Sequence, residues 1–202
     1  MPTGPGGLDA NGIWQYGEDD TEALASDLLN LGMGSVSTAV GGLGAPTILQ
    51  VVSKTDTFSS ALTTGYVAVT GLTATLTPAS VSSKVLVSGY CSVAVSLTEN
   101  SNDIAIYRDG VALTGASGDA NGSAKRATSG GVAYTTSQRG IASVPFSFLD
   151  SPATTSAVSY EIYVGYTNNS ATTMYVNRAA SDGANDYNSR WASTITIMEV
   201  AG

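Results

Sequence analysis

Residues 84–98 read KVLVSGYCSVAVSLT. Apolar and small polar residues alternate along this stretch, which is the period of a β-strand and not of a helix. One face carries Val85, Val87, Cys91, Val93, Val95 and Leu97. The other carries Leu86, Ser88, Tyr90, Ser92, Ala94 and Ser96. A strand with one apolar and one hydroxyl-rich face belongs to an antiparallel sheet that buries one side.

The same period extends in both directions from this strand. In AVSYEIYVGYT, Val158, Tyr160, Ile162, Val164 and Tyr166 share a face. In RWASTITIMEV, Ile195 and Ile197 face one way and Met198 and Val200 the other. DIAIYRDGVAL places Asp109-Gly110 between apolar runs, a strong two-residue hairpin signal. Shorter candidates lie at 48–53, 66–70, 73–77, 141–149 and 172–177, which brings the expectation to eight to ten strands. No amphipathic helical pattern follows residue 47. The expected fold is mainly β: an antiparallel, jelly-roll-type β-sandwich over residues 48–202. Strand order is not readable from these patterns.

The front of the chain differs. Residues 12–32, GIWQYGEDDTEALASDLLNLG, hold two aromatics, an acidic cluster and leucines at helical spacing. Leu24, Leu28 and Leu31 form one helical stripe. Asp19 with Glu22 makes a capping-box-like start, and Gly32 can stop the helix. A helix of about three turns is marginal alone in water and needs a surface to pack on. The segment therefore reads as a short helical anchor over 1–32. Residues 33–47, MGSVSTAVGGLGAPT, have linker composition and a reach of roughly 50 Å when extended. Ile13, Trp14, Tyr16, Leu24, Leu28 and Leu31 are the candidate buried docking anchors, Trp and Tyr being frequent interface hot spots. Glu18, Asp19 and Asp20 are the candidate orienting charges. The competing reading packs this helix back onto its own β domain.

Charge and composition exclude several functions. Of 202 residues, 12% are charged and 43% hydrophobic, so Ser, Thr, Asn and Gly must cover much of the surface. Residues 1–53 hold six acids and no Lys or Arg; residues 54–202 hold ten acids against eight bases. An acidic chain without a basic stripe argues against nucleic-acid binding and against an anionic membrane surface. The start lacks the pattern of a secretory signal, and no apolar run is long enough to span a membrane, so synthesis in a cytoplasm without export is expected.

Catalytic chemistry finds little support. There is no histidine, which removes Ser-His-Asp and Cys-His catalysis and the commonest zinc ligand. Cys91 is the one cysteine and reads as a small buried hydrophobe. The glycosidase-type acids, Glu99, Asp103, Glu161, Asp182 and Asp186, read as solvated turn and loop residues. TENSND (98–103) and SDGAND (181–186) offer oxygen ligands but lack EF-hand spacing, and such turns need no metal. No cofactor, metal or catalytic residue is expected. Two long polar loops, 116–131 and 180–190, are the expected contact surfaces. Tyr187, Asn188, Arg190 and Trp191, clustered before the last strand, are the candidate receptor or sugar contacts.

At these residues a resemblance enters. GIWQYGEDDTEALASDLLNLGMGSVSTAV (12–40) resembles the N-terminal segment of tail-fibre and minor tail proteins of tailed bacteriophages. VAVTGLTATLTPASVSSKVLVSGY, IAIYRDG, FLDSPATTSAVSYEIYV and RWASTITIMEVAG together resemble a recurrent phage appendage domain. Such domains are similar to the trimeric jelly rolls of the tumour necrosis factor and C1q type. The resemblance implies a homotrimeric virion protein docked to other phage proteins, of tail or capsid, through its front segment. It further implies a head domain facing a host-surface glycan or protein. A capsid decoration or head-fibre protein has the same build and remains the alternative. A free carbohydrate-binding module or a glycan-degrading enzyme is the alternative of another class; the module does not account for the front segment, and the chain has neither the length nor the repeat of a β-helical depolymerase.

Overall fold

The computed structural model describes residues 7–8, 14–15, 47–57, 60–62, 66–95, 101–131, 139–167, 173–186 and 188–202. The expected helix at 19–31, and most of the docking segment and linker, lie outside these residues. The chain divides into two compact units, Met1–Ala45 and Pro46–Gly202. In the first, strand β1 (Gly7–Leu8) pairs antiparallel with β2 (Trp14–Gln15). The Gly/Pro-rich composition of residues 1–12 predicts an extended, irregular arm where β1 lies.

The second unit contains β3 (Ile48–Asp56), β4 (Ser60–Leu62), β5 (Val67–Leu76), β6 (Lys84–Val95), β7 (Ser101–Arg108) and β8 (Val111–Ala112). It continues with β9 (Ser129–Gly131), β10 (Ala142–Asp150), β11 (Val158–Thr167), β12 (Met174–Val176) and β13 (Ser193–Val200). The runs 66–70 and 73–77 are one strand, β5, because Gly71 interrupts the side-chain pattern but not the backbone. Among the described residues the one helical element is a single 3-10 turn, Thr114–Ala116, and no helix is long and apolar enough to cross a membrane.

The pairing has a simple logic. β3 lies against β13, β5 against β11, β6 against β10, and β7 against β8 and β9, all antiparallel. First pairs with last, and each next strand with the next from the end. The chain is thus one long ribbon folded back at Asp109-Gly110 and wrapped into two sheets, which is the jelly-roll arrangement. One sheet runs β3–β13–β6–β10, with β12 and β4 continuing along the far end of β6. The other runs β5–β11–β7, flanked by β8 and β9. The fold at its tip is the expected two-residue hairpin. Asp109 and Gly110 both have positive φ, 50° and 76°, as the type I′ turn demands. Asp109 Oδ1 accepts the Ser159 N–H at 2.8 Å and the Gly110 N–H reaches Glu161 Oε2 at 3.1 Å, tying the turn to β11.

The core lies between the sheets. Val85, Val87, Cys91 and Val93 of β6, with Ile195 and Ile197 of β13, face Tyr160, Ile162 and Val164 of β11 and Ile104 and Ile106 of β7. Each fully buried Val or Ile contributes about 1.5–3 kcal/mol. The faces read from the alternation in β6 and β11 are therefore the buried faces; Leu97 and the side chain of Tyr166 lie outside what is described. The buried Tyr160 hydroxyl donates to Asp150 at 2.7 Å, and Arg108 pairs with the same carboxylate at 2.6 Å. Burial, and then the Asp150 charge, push the Tyr160 phenol far above its ordinary range.

Glu199 is the buried acid of the last strand. Its carboxylate accepts from Gln50 Nε2 and from the Ala79 N–H, both at 2.6 Å. Burial alone would raise its pKa. The hydrogen bonds from Gln50 and Ala79 outweigh that and hold it below the usual carboxylate value. A carboxyl whose pKa is lower folded than unfolded stabilises above its unfolded value of about 4.3 and loses that contribution as pH falls through the folded value. Urea midpoints should therefore fall between pH 6 and pH 3, and Glu199→Gln should flatten that part of the dependence.

Candidate functional site

β12 and β13 both pair with the same edge of β6, one beyond the other. Between them the chain leaves the sheet and returns, and this excursion is the 180–190 loop. Asn177 forms its exit. Its backbone is left-handed, φ 61°, and its side chain is fully buried. Nδ2 donates to the Asp56 carbonyl at 3.0 Å, and Oδ1 accepts from Ser193 Oγ at 2.6 Å. The Asn177 N–H donates to Ser92 O at 2.8 Å, and its carbonyl accepts from the Trp191 N–H at 3.0 Å. Ser193 Oγ in turn accepts the Ser92 N–H at 2.9 Å. One residue thus joins the outgoing strand, the returning strand and the sheet.

Above this neck the loop is cross-braced. Arg178 and Arg190 form an isolated antiparallel bridge, and both guanidiniums converge on Asp182, at 2.8 and 2.5 Å. Arg178 also lies over the Tyr175 ring, 4.5 Å from its centroid. At the tip, Asn188 Nδ2 donates to Gly183 O at 3.1 Å and to Asn185 Oδ1 at 2.7 Å. The loop encloses an open concavity of about 560 Å³ lined by residues including Asp182, Asn185, Asp186 and Arg190.

The candidate contacts divide accordingly. Asn188 is half-buried with its amide nitrogen committed within the loop, and Arg190 is exposed but engaged with Asp182. Trp191 is 40% exposed at the loop base. Tyr187 lies outside the described residues, as do Ile13, Tyr16, Glu18, Asp19, Asp20, Leu24, Leu28 and Leu31. Trp14 is placed in β2. The bracing residues Asn177 and Arg178 were not legible as a site, and Asp182 stood out only as a glycosidase-type acid or oxygen ligand, not as the partner of two arginines. The Asp56–Asn177–Ser193 contacts join positions far apart in the chain, and no local spacing announces them.

The bracing is exposed, so its contribution to global stability is small, about 1 kcal/mol or less. Asp182→Ala should lower Tm by no more than about 3 °C. Amide exchange over 183–189 should quicken clearly in the same protein, since the brace fixes the loop and not the sandwich.

The 116–131 loop is also self-tied. Arg126 Nη2 donates to Thr114 O at 3.0 Å and its Nε to Gly118 O at 2.5 Å. The Thr128 N–H joins Ile104 O of β7 at 2.7 Å, and Tyr66 OH donates to Arg126 O at 3.2 Å. Of the candidate catalytic acids, Asp182 holds two arginines, Glu161 caps the hairpin, Asp103 is buried within β7 and Glu99 lies outside the described residues. Among the described residues no three His, Cys, Asp or Glu side chains gather into a metal-binding group. Cys91 is buried, and burial pushes its thiol up to about 12, which leaves it inert.

No protein-family model matches the chain, and no curated protein matches it. Two solved structures of infectious bursal disease virus are similar in part. That of the Gt strain aligns at 14% identity and TM-score 0.36, covering 98% of this chain and 45% of its own. That of the Gx strain aligns at 16% identity and TM-score 0.34, covering 76% of this chain and 37% of its own. This chain spans less than half the length of either, and likenesses of this size assign neither family nor function.

Proposed function

We propose that this chain is a structural protein of a tailed-bacteriophage virion: a tail-fibre-like, trimeric appendage anchored by its N-terminal segment, with a β head that serves host-surface attachment. The observation that carries the reading is the division of the chain into Met1–Ala45 and Pro46–Gly202. The first unit holds six acids, no base and the resemblance to phage docking segments; the second is a jelly-roll-type β-sandwich. Such a division supports a reading in which the first unit attaches and the second is displayed. The braced 178–190 loop supports the second half of the reading, because a preorganised loop loses less entropy on binding. Three heads per appendage make weak single contacts sufficient through effective concentration. No catalytic role is assigned.

Deletion of residues 1–32 tests it. The expected product is a soluble, folded oligomer that no longer joins the particle. A truncated chain that unfolds would make the segment part of the fold and end the docking reading. A cryo-EM map of the intact particle distinguishes the two virion locations. Residues 12–32 seated at the tail support a fibre; the same peptide seated between capsid proteins makes the chain a head decoration protein, with no receptor to seek.

A further inference from the structure

The outward face of the β3–β13–β6–β10 sheet has an unusual make-up for a solvent face. Strand register places Val51, Met198, Leu86 and Leu149 directly side by side across all four strands. The next row inward is Ser53, Thr196, Ser88 and Ser147, and the one after carries Tyr90 and Pro145. Ile48 and Val200 add a further apolar pair at the end. Of the eight large hydrophobics that stand exposed among the described residues, four are on this face: Ile48, Val51, Tyr90 and Leu149, at 56, 54, 39 and 48% exposure. Among its directly paired positions Lys84, at the end beside Val200, is the one charged side chain.

We propose that this apolar-rowed face, with Lys84 at its end as the one charge, is the surface through which copies of this chain associate. The inference deepens the trimeric reading above and rests on it. Three features favour a second copy over another partner. The chain carries a net charge of −8, so identical copies repel wherever charge meets charge; this face brings almost none together. Hydroxyl rows are self-complementary, since each Ser or Thr both donates and accepts: Ser53 and Thr196 already do so at 3.0 Å. Four strands about 4.8 Å apart and some nine residues long give a face of about 20 by 30 Å, or ~600 Å² in plan. That approaches the roughly 800 Å² per partner of a stable interface.

The experiment uses the full chain. Mass in solution is measured for the wild type, Val51→Lys and Leu149→Lys, both changes being at exposed positions that leave the core untouched. Maleimide labelling is measured at Ser147→Cys, in the middle of the face, and at Ser159→Cys, on the other sheet; buried Cys91 gives no background. The expected result is a multiple of the 20.4 kDa chain mass for the wild type, at least ten-fold protection at position 147 relative to 159, and a fall to single-chain mass in the lysine variants with circular dichroism unchanged. Assembly that persists in both variants, with position 147 labelled freely, overturns this face and leaves the trimer reading standing. A single-chain mass with position 147 protected overturns it in favour of the chain's own front segment as occupant. A single-chain mass with position 147 labelled overturns both.

Discussion

Gly89→Ala is expected to leave no soluble, folded β body at 37 °C. Gly89 sits in the middle of β6, paired with Phe146 on one side and Ile195 on the other. Its inward position falls between Val87 and Cys91 in the core row, where the alternation calls for a side chain. A Cβ there would stand 2.1 Å from the Thr194 carbonyl oxygen and 2.8 Å from Phe146 Cζ. The backbone φ of 157° adds strain for any L side chain. The Phe146 ring could turn aside; the Thr194 carbonyl belongs to the backbone of β13 and moves only if the ladder opens. Overpacking of a fixed core costs about 1–3 kcal/mol and backbone strain a similar amount, together a large part of the ~5–15 kcal/mol that holds a domain. Soluble yield and the urea midpoint measure it. Gly118→Ala is the control, since nothing lies within 4 Å of the added carbon, and it should behave as wild type.

The second large effect is expected at Asn177. Asn177→Ala removes the acceptor of the Ser193 hydroxyl and the donor to the Asp56 carbonyl, both in a buried setting. It also leaves a Cβ-bearing residue without polar compensation at φ 61°. An unpaired buried polar group costs about 1–3 kcal/mol and a left-handed alanine roughly 1–2 kcal/mol. The total expected loss is about 3 kcal/mol, read from denaturant midpoints. Asn177→Gly separates the terms: glycine accepts the backbone angle, so it should recover about 1 kcal/mol while the hydrogen bonds stay lost. If alanine and glycine destabilise equally, the backbone angle contributes nothing. If neither destabilises, the neck of the loop is not held as described. Because Asn177 fixes both the exit and the return of the 178–190 excursion, amide exchange over 183–186 should quicken together with the loss of stability here. At Asp182 the loop should loosen with the sandwich intact.

These two residues show why so much of the fold was legible and so little of the site. Alternation in residues 84–95 declares which side of the strand is wet, and the wet side keeps Ser88 and Tyr90. Toward its end the strand is buried on both faces: Ser92 and Ala94, expected outside, are fully covered. Ser92 is satisfied there by Ser193, Ser143 and the Ala192 carbonyl, partners that alternation cannot name. The Asp109-Gly110 turn was legible because its chemistry is local: two adjacent residues with positive φ suffice.

The sequence by itself determined the period of the long strands, the core faces of β6 and β11, the innermost hairpin and the charge asymmetry between the front segment and the body; the short strands β4 and β9, the latter inside the expected 116–131 loop, it did not. Each of these is a property of a few consecutive residues, set by backbone geometry and by the transfer of side chains from water. Only the tertiary structure decided that the first strand of the body lies beside the last. It also decided that Gly89 must be glycine because a carbonyl of β13 presses on it, and that Val51, Met198, Leu86 and Leu149 line up into one row. Those facts depend on which distant segments bury surface together, and that choice is made by the free energy of the whole sandwich, not by any stretch of the chain alone.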